Sequence, residues 1–298
     1  MSFRWPLSCP VCQEPAATTY AKSPATEPAH PARPSSIICR NGHGFDAARQ
    51  GYVNLLAGRG TRFTPDSAEM IMARERVLTS GLFDEISTAL SDVATGALPN
   101  ATAHTAEADQ APYFVDVGCG TGSYLHHMLD HRPAALGIGM DLSPAGLKRC
   151  ARHGRALALG WDVWRQLPLR SGSVDVVLAV FAPRNAEEFA RVLAPGGLLL
   201  VVTPRPGHLA ELREYGLLGI QADKSDAVEQ GLREHFTLQP AGGRITTTHS
   251  ADPGIVADAV FMGPAGHHHS HEDIMSRVPS EAPHSVTIDV DLSVFERA

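Results

Sequence analysis

Two pairs of soft ligands near the start of the chain have the spacing of a metal site. Cys9-Pro-Val-Cys12 and Cys39-Arg-Asn-Gly-His43 each place two donors on a tight turn, and together they supply four corners of a tetrahedron around zinc. Pro10 stiffens the first turn, and Asn41 and Gly42 permit the second. Four protein ligands leave no open coordination position, so the expected zinc is structural. The 26 residues between the pairs add little closure entropy once a metal clips their ends. A thioredoxin-type reading of Cys9 and Cys12 lacks the strand–turn–helix frame of such pairs, and His30 is a weak rival to His43.

A second constellation is Phe114-Val-Asp116-Val-Gly118-Cys-Gly120-Thr-Gly122-Ser-Tyr124. An apolar run enters three glycines at alternate positions, and a helical segment follows. Such glycines let the backbone turn tightly and let a ligand lie against it beside a helix N-terminus. The dinucleotide fingerprint is G-x-G-x-x-G, whereas this chain reads G-x-G-x-G with Asp116 two residues ahead. Asp141, 19 residues beyond Gly122, is placed to accept hydrogen bonds from two ribose hydroxyls, a feature dehydrogenases share. Asp162 follows a third apolar run, as a cofactor contact or as a solvated loop carboxylate.

These residues need a scaffold that gathers strand ends. Tyr113–Val117, Ala135–Met140, Ala156–Leu159, Val174–Val180 and Leu198–Thr203 read as strands. Helices are expected through about Leu129, around Pro144–Arg152 and over Ala186–Leu193. The alternation implies a Rossmann-like α/β fold, a mostly parallel twisted sheet with helices on both faces. Thr246–Thr248, Ala257–Phe261 and Ser285–Asp291 are expected as late strands. Upstream, Asp66-Ser67 caps a helix that Gly81 stops, and a second helix covers Leu82–Val93. The expected division is a zinc ribbon over residues 1–62, with a flexible Pro- and Ala-rich insertion at 13–36, and a larger domain over 63–298. Residues 63–112 form that domain's helical lead-in and linker.

The 298-residue chain is 43% hydrophobic and 19% charged, ordinary for a soluble enzyme. Its most apolar stretch, Gly196–Thr203, is too short to span a bilayer, and the N-terminus has no secretory pattern. The expectation is a cytoplasmic protein without membrane association. Residues 1–62 hold seven Lys/Arg against three carboxylates, a net of +4, leaving −11 on the rest of a chain of formal charge −7. A basic head on an acidic body suits an anionic partner.

The glycine spacing with Asp116 resembles motif I of the S-adenosylmethionine (SAM)-dependent methyltransferases, whose acidic residue lies near the cofactor's methionine ammonium. Further stretches narrow the resemblance: Phe45-Asp-Ala-Ala-Arg-Gln-Gly51-Tyr52-Val-Asn54-Leu-Leu56, Asp66-Ser-Ala-Glu-Met70, Phe181-Ala-Pro183-Arg-Asn185 and Thr203-Pro204 with His208. Over nearly its whole length the chain resembles the bacterial large-subunit (23S) rRNA guanine-N1 methyltransferases of the RlmA type, which include tylosin- and mycinamicin-resistance enzymes. That resemblance implies Cys9, Cys12, Cys39 and His43 as zinc ligands, Gly118, Gly120, Thr121 and Gly122 as the loop that holds SAM, Asp162 near adenine and His208 against the cofactor. Phe83 stands where relatives often carry a Tyr facing the cofactor, so an aromatic face is kept and a hydroxyl lost. Homodimer formation is a further implication.

Guanine N1 carries a proton at neutral pH and must lose it for methyl transfer. Phe181-Ala182-Pro183, after the fourth strand, is expected to line the base pocket, with His208 and His267 as weak candidates for the base and water as the alternative. The target would be a guanine in a 23S rRNA hairpin loop near the peptide exit tunnel, since a paired N1 is inaccessible. Arg40, Arg49, Arg59 and Arg62 would grip its phosphates. The His267–His271 cluster reads as a solvated loop, with a substrate-side role as the alternative. Rival readings are a methyltransferase of a small metabolite with the ribbon as a lid, a non-enzymatic zinc-ribbon RNA binder, and a nicotinamide-dependent oxidoreductase. The intact loop opposes the second, and the glycine spacing opposes the third.

Overall fold

The computed structural model describes residues 5–20, 33–56, 60–97, 111–215, 225–281 and 283–298. The centre of the insertion with His30, Arg59, and residues 98–110 of the linker lie outside these. Near the N-terminus, β1 (Ala16–Thr19), β2 (Ser36–Cys39) and β3 (Gly44–Asp46) form a three-stranded antiparallel sheet. β1 falls within the stretch expected to be flexible. Its backbone is satisfied by β2, with Ala16 opposite Cys39, and Ala16 packs with buried Leu7 and Ile37.

After β4 (Val53–Asn54) come α1 (Ala68–Thr79) and α2 (Asp84–Ala97). Ser67 caps α1 by accepting from the Met70 N–H, and Gly81, at φ +88°, turns the chain after it. The alternating stretch then runs β5 (Tyr113–Val117), α3 (Ser123–His131), β6 (Leu136–Asp141), α4 (Pro144–Cys150), β7 (Ala156–Gly160), β8 (Val174–Val180), α5 (Ala186–Val192) and β9 (Leu193–Pro204). It ends with α6 (Ser225–Leu232), β10 (Phe236–Ala251), α7 (Pro253–Phe261), α8 (His271–Arg277) and β11 (His284–Arg297).

One eight-stranded sheet has the order β10-β11-β9-β8-β5-β6-β7-β4. The strands from β9 to β4 are parallel, and β11 is antiparallel to both its neighbours. Chain order reverses between β5 and β8, which opens a crevice at their carboxyl ends. Alternate residues serve opposite faces. Phe114, Val176 and Leu178 meet α1, α2, α3, α4 and α7, while Val115, Val117 and Val177 meet α5, α6 and the ribbon residues Trp5, Leu7 and Ile37. The ribbon thus covers part of one sheet face, and β4 carries it into the sheet edge through Val53 opposite Leu159.

Two expectations are corrected. Ala257–Phe261 is the second half of helix α7 and not a strand. A short run that is apolar all round fits either element, and here Pro253 starts a helix buried on every side from Val256 to Phe261. Its one acid, Asp258, is bound by Arg76 at 2.6 and 2.5 Å and by His271 at 2.8 Å. The histidine cluster is likewise not a free loop. His267 closes a 3-10 turn, Ser270 caps α8, and His269 pairs with Asp273 at 3.0 Å. Thr246–Thr248 and Ser285–Asp291 are strands, but inside β10 and β11 of 16 and 14 residues.

Candidate functional site

Cys9, Cys12, Cys39 and His43 converge in the ribbon, their ligand atoms all within 4.8 Å of one another. His43 Nδ1 is 3.6 Å from Cys9 Sγ and 3.4 Å from Cys39 Sγ, and Cys12 Sγ is 3.8 Å from Cys39 Sγ. A tetrahedron with Zn–S bonds of about 2.3 Å has edges of roughly 3.8 Å, so the donor set fits zinc without rearrangement. Asn41 Nδ2 donates to Cys12 Sγ at 3.4 Å, a support that orients a thiolate ligand. Two short turns build the centre: Gln13 N–H donates to the Cys9 carbonyl, and Gly42 N–H, at φ +82°, to the Cys39 carbonyl.

The crevice at the strand ends is a cleft of about 800 Å³. Asp116, next to last in β5, lines it, followed by Gly118, Gly120 and Thr121, with Asp141 from β6, Asp162 after β7, Phe181, Ala182 and Pro183 after β8, and His208 beyond β9. Phe83 and His267 complete the predicted set in its wall, while Gly122 caps α3 from beneath. Gly118 has φ +75°, and a Cβ there would sit 3.0 Å from the Cβ of Ala182, so only glycine keeps this part of the cleft open.

The residues fit the methionyl end of SAM. Asp116 is buried, and its Oδ2 has no hydrogen-bond partner among the described residues. Burial, then the neighbouring Cys150 and Asp141, push its carboxyl well above the usual range. An orphaned carboxyl on the floor of a ligand-sized cleft is a receptor for a cation such as the methionine ammonium. Asp141 accepts from Gly120 N–H at 2.8 Å and Ser143 N–H at 2.7 Å, which positions it beside the loop. Asp162 accepts from Thr61 Oγ1 at 2.8 Å and Trp164 N–H at 3.1 Å, so the ribbon's exit strap is tied to a carboxylate of the cleft.

The opposite wall is aromatic. Phe181 stands at φ +53°, strained for an aromatic residue, and packs edge-on against Phe83 at 6.2 Å. His208 lies between a stacked Phe181 and an edge-on Phe83. Burial holds its imidazole down at about 4, and Asp289 N–H donates to Nδ1 at 3.4 Å, which assigns the ring proton to Nε2. At neutral pH His208 is an uncharged donor. His267 Nε2 lies 3.2 Å from Asp66 Oδ1.

Sequence reasoning missed Arg74. Its guanidinium pairs with Asp66 at 2.7 Å and donates to the Met262 carbonyl at 2.6 Å, and Nη1 lies 2.9 Å from where a Gly120 Cβ would be. The signal was a charge on the buried face of α1, four residues after Met70 and three before Val77. Arg184, inside the quoted Phe181–Asn185 stretch but with no role read from it, and exposed Trp164 also line the cleft.

Residues 7–58 match the family model described as RlmA, N-terminal, and residues 114–197 match that of a methyltransferase domain. The chain is 40% identical over 263 residues to the 23S rRNA (guanine(748)-N1)-methyltransferase of Streptomyces fradiae, across 87% of this chain and 90% of that protein. The chain belongs to the 23S rRNA (guanine-N1)-methyltransferase family. A protein described as a 23S rRNA (guanine-N1)-methyltransferase in Micromonospora griseorubida is 40% identical across 97% of this chain and 96% of its own. By contrast, the malonyl-[acyl-carrier protein] O-methyltransferase of Hahella chejuensis matches at 33% over only 34% of this chain and 39% of its own. This methyltransferase therefore uses SAM, which supplies an electrophilic methyl group when bound, and its ribbon carries one structural zinc. Among the described residues, no helix is long and apolar enough to cross a membrane.

Proposed function

We propose that this methyltransferase transfers a methyl group from SAM to N1 of one unpaired guanine in a hairpin loop of 23S rRNA. The observation that carries the reading is the likeness to rRNA guanine-N1 methyltransferases across ribbon and cleft alike, at 40% identity over 97% of the chain. A small-metabolite enzyme needs no such continuity, and the likeness to an acyl-carrier O-methyltransferase stops at a third of the chain.

In this reading Asp116 takes the methionine ammonium, Arg74 the methionine carboxylate, Asp141 the ribose hydroxyls, and Asp162 the adenine side. Gly118, Gly120, Thr121 and Gly122 form the cradle. The acceptor guanine enters over Phe181, Ala182 and Pro183, where the aromatic faces of Phe181 and Phe83 exclude water. Held as a neutral donor, His208 orients the cofactor side and does not accept the N1 proton. Arg40, Arg49 and Arg62 on the ribbon and its exit strap contact phosphates, a term that weakens with salt. Modification of a loop guanine that lines a macrolide site would confer resistance to drugs of the tylosin class.

Methyl transfer from labelled SAM to naked 23S rRNA from cells lacking the enzyme, mapped by primer extension, tests the reading. The expected result is one stop at one hairpin guanine, because an N1-methyl group blocks pairing. Label at any other position, or none in protein shown to bind SAM, overturns it.

A further inference from the structure

Arg184 is an anomaly in the cleft. It is half-buried in the wall, yet among the described residues it donates no hydrogen bond and forms no ion pair. Burial alone acts on its guanidinium and lowers its affinity for the proton, with no carboxylate opposing that. The other basic side chains of the cleft are engaged, among them Arg74 by Asp66, Arg213 by the Pro206 carbonyl, and His267 by Asp66. The carboxylates are engaged too, apart from Asp116 at the methionyl end. Asp141 is held by backbone N–H groups, Asp162 by Thr61 and Trp164, and Asp66 by Arg74 and His267. A guanidinium cannot discharge itself by losing a proton, so a half-desolvated one without a counter-group calls for an acceptor from outside the chain.

Its backbone is prepared for that. Pro183, immediately before it, has a fixed φ, and Asn185, immediately after it, donates from Nδ2 to the Val163 carbonyl at 2.9 Å. The segment follows Phe181 at the carboxyl end of β8, beside the cofactor loop.

We propose that Arg184 donates to O6 of the target guanine and holds the negative charge that develops across N1 and O6 as the N1 proton leaves. The inference rests on the guanine reading above and deepens it. Guanine presents O6 and N7 as acceptors that a guanidinium fork matches, whereas adenine presents an amino donor at that edge and is rejected. In the reaction the N1–H bond breaks and its proton passes to water. The electron pair left on N1 forms the new C–N bond, and the C–S pair returns to sulfur. A fixed cation at O6 lowers the cost of the first event, so no protein carboxylate is needed as base. The cleft is arranged accordingly, with its carboxylates other than Asp116 already committed.

The test uses full-length zinc-loaded protein with Arg184→Gln and Arg184→Lys. SAM affinity by calorimetry should stay within about twofold of wild type, and single-turnover methylation at saturating RNA should fall roughly a hundredfold at pH 7 in Arg184→Gln. Its rate should keep rising through alkaline pH where wild type has levelled, with Arg184→Lys between the two. If Arg184→Gln does not bind SAM, Arg184→Lys carries the same readout. A raised RNA Kd with a superimposable pH profile at saturation would mark a phosphate contact and overturn the proposal, as would unchanged kinetics. Wild-type protein that binds SAM yet leaves guanine N1 unmethylated overturns the substrate reading instead, and this assignment with it.

Discussion

The imidazole of His208 is stacked on Phe181, ring centroids 5.6 Å apart and planes 25° from parallel. Burial holds its proton affinity at about 4, below that of an exposed histidine, so the ring is neutral at pH 7. Below the ordinary histidine range the unfolded chain therefore binds a proton that the native protein refuses. Stability contributed by this residue is complete above about pH 6.5 and is lost as pH falls toward 4. At pH 5 the loss is about 2 kcal/mol. Urea unfolding of wild type and His208→Phe at pH 7 and pH 5 should show that much less acid destabilisation in the variant, which keeps the stack and removes the titration.

Asp116 makes the opposite case. Its carboxyl is raised by burial, so the ligand-free protein binds a proton there more tightly than the unfolded chain. That contribution is present at low pH and declines as pH rises above the ordinary carboxylate range. Asp116→Asn should therefore raise the melting temperature of the ligand-free protein at pH 8, while weakening SAM binding at least about tenfold through the lost ion pair. Calorimetric titration and a thermal scan of one preparation decide it; stronger SAM binding in the variant would remove Asp116 from the methionyl site.

Arg74 is expected to read the cofactor's carboxylate. Arg74→Gln should raise the Kd for SAM about tenfold or more, yet leave the Kd for decarboxylated SAM within about twofold. Asp66→Ala, which frees Arg74 from its 2.7 Å pair and His267 from its acceptor, should give a smaller loss of the same selectivity. Equal losses for both ligands would mean a general disturbance of the loop.

Removing the metal should be felt beyond the ribbon. Cys9, Cys39 and Ala16 share a buried cluster with Leu159 and Trp161 of the sheet, and Thr61 donates to Asp162 in the cleft. A zinc chelator, or Cys39→Ser, should lower the melting temperature and weaken SAM binding together. A drop in RNA affinity with cofactor binding untouched would show the two sites to be uncoupled.

Much of this was legible in the chain because local chemistry dictated it. The ligand pairs sit on turns of fixed size, and the glycine loop lies at a strand end where topology leaves one place for a cofactor. The strands β5 to β8 are short apolar runs buried on both faces, and their boundaries emerged within a few residues. Ala257–Phe261 misled because a short, mostly apolar run has no period, and the partners that satisfy its Asp258, Arg76 and His271, come from other helices. His267 is exposed as expected, but its partner Asp66, like the Asp258 that His271 meets, is remote in sequence. The same holds for Arg74, whose meaning lies in what faces it across the cleft, whereas Arg184 stood inside a quoted stretch with no role read from it.

The edge strand β4 bears on how the molecule is made. Zinc can close the ribbon once His43 has left the ribosome, but Val53 must wait for its neighbour Leu159, 106 residues further along. β10 and β11, last to emerge, complete the other edge. A ribbon that closes on zinc before the sheet forms leaves the flank of β4 toward Leu159 unpaired until that strand is made, an interval when long-range sheets are prone to aggregate. Supply of zinc early in translation is then a determinant of yield as much as of the finished protein's stability.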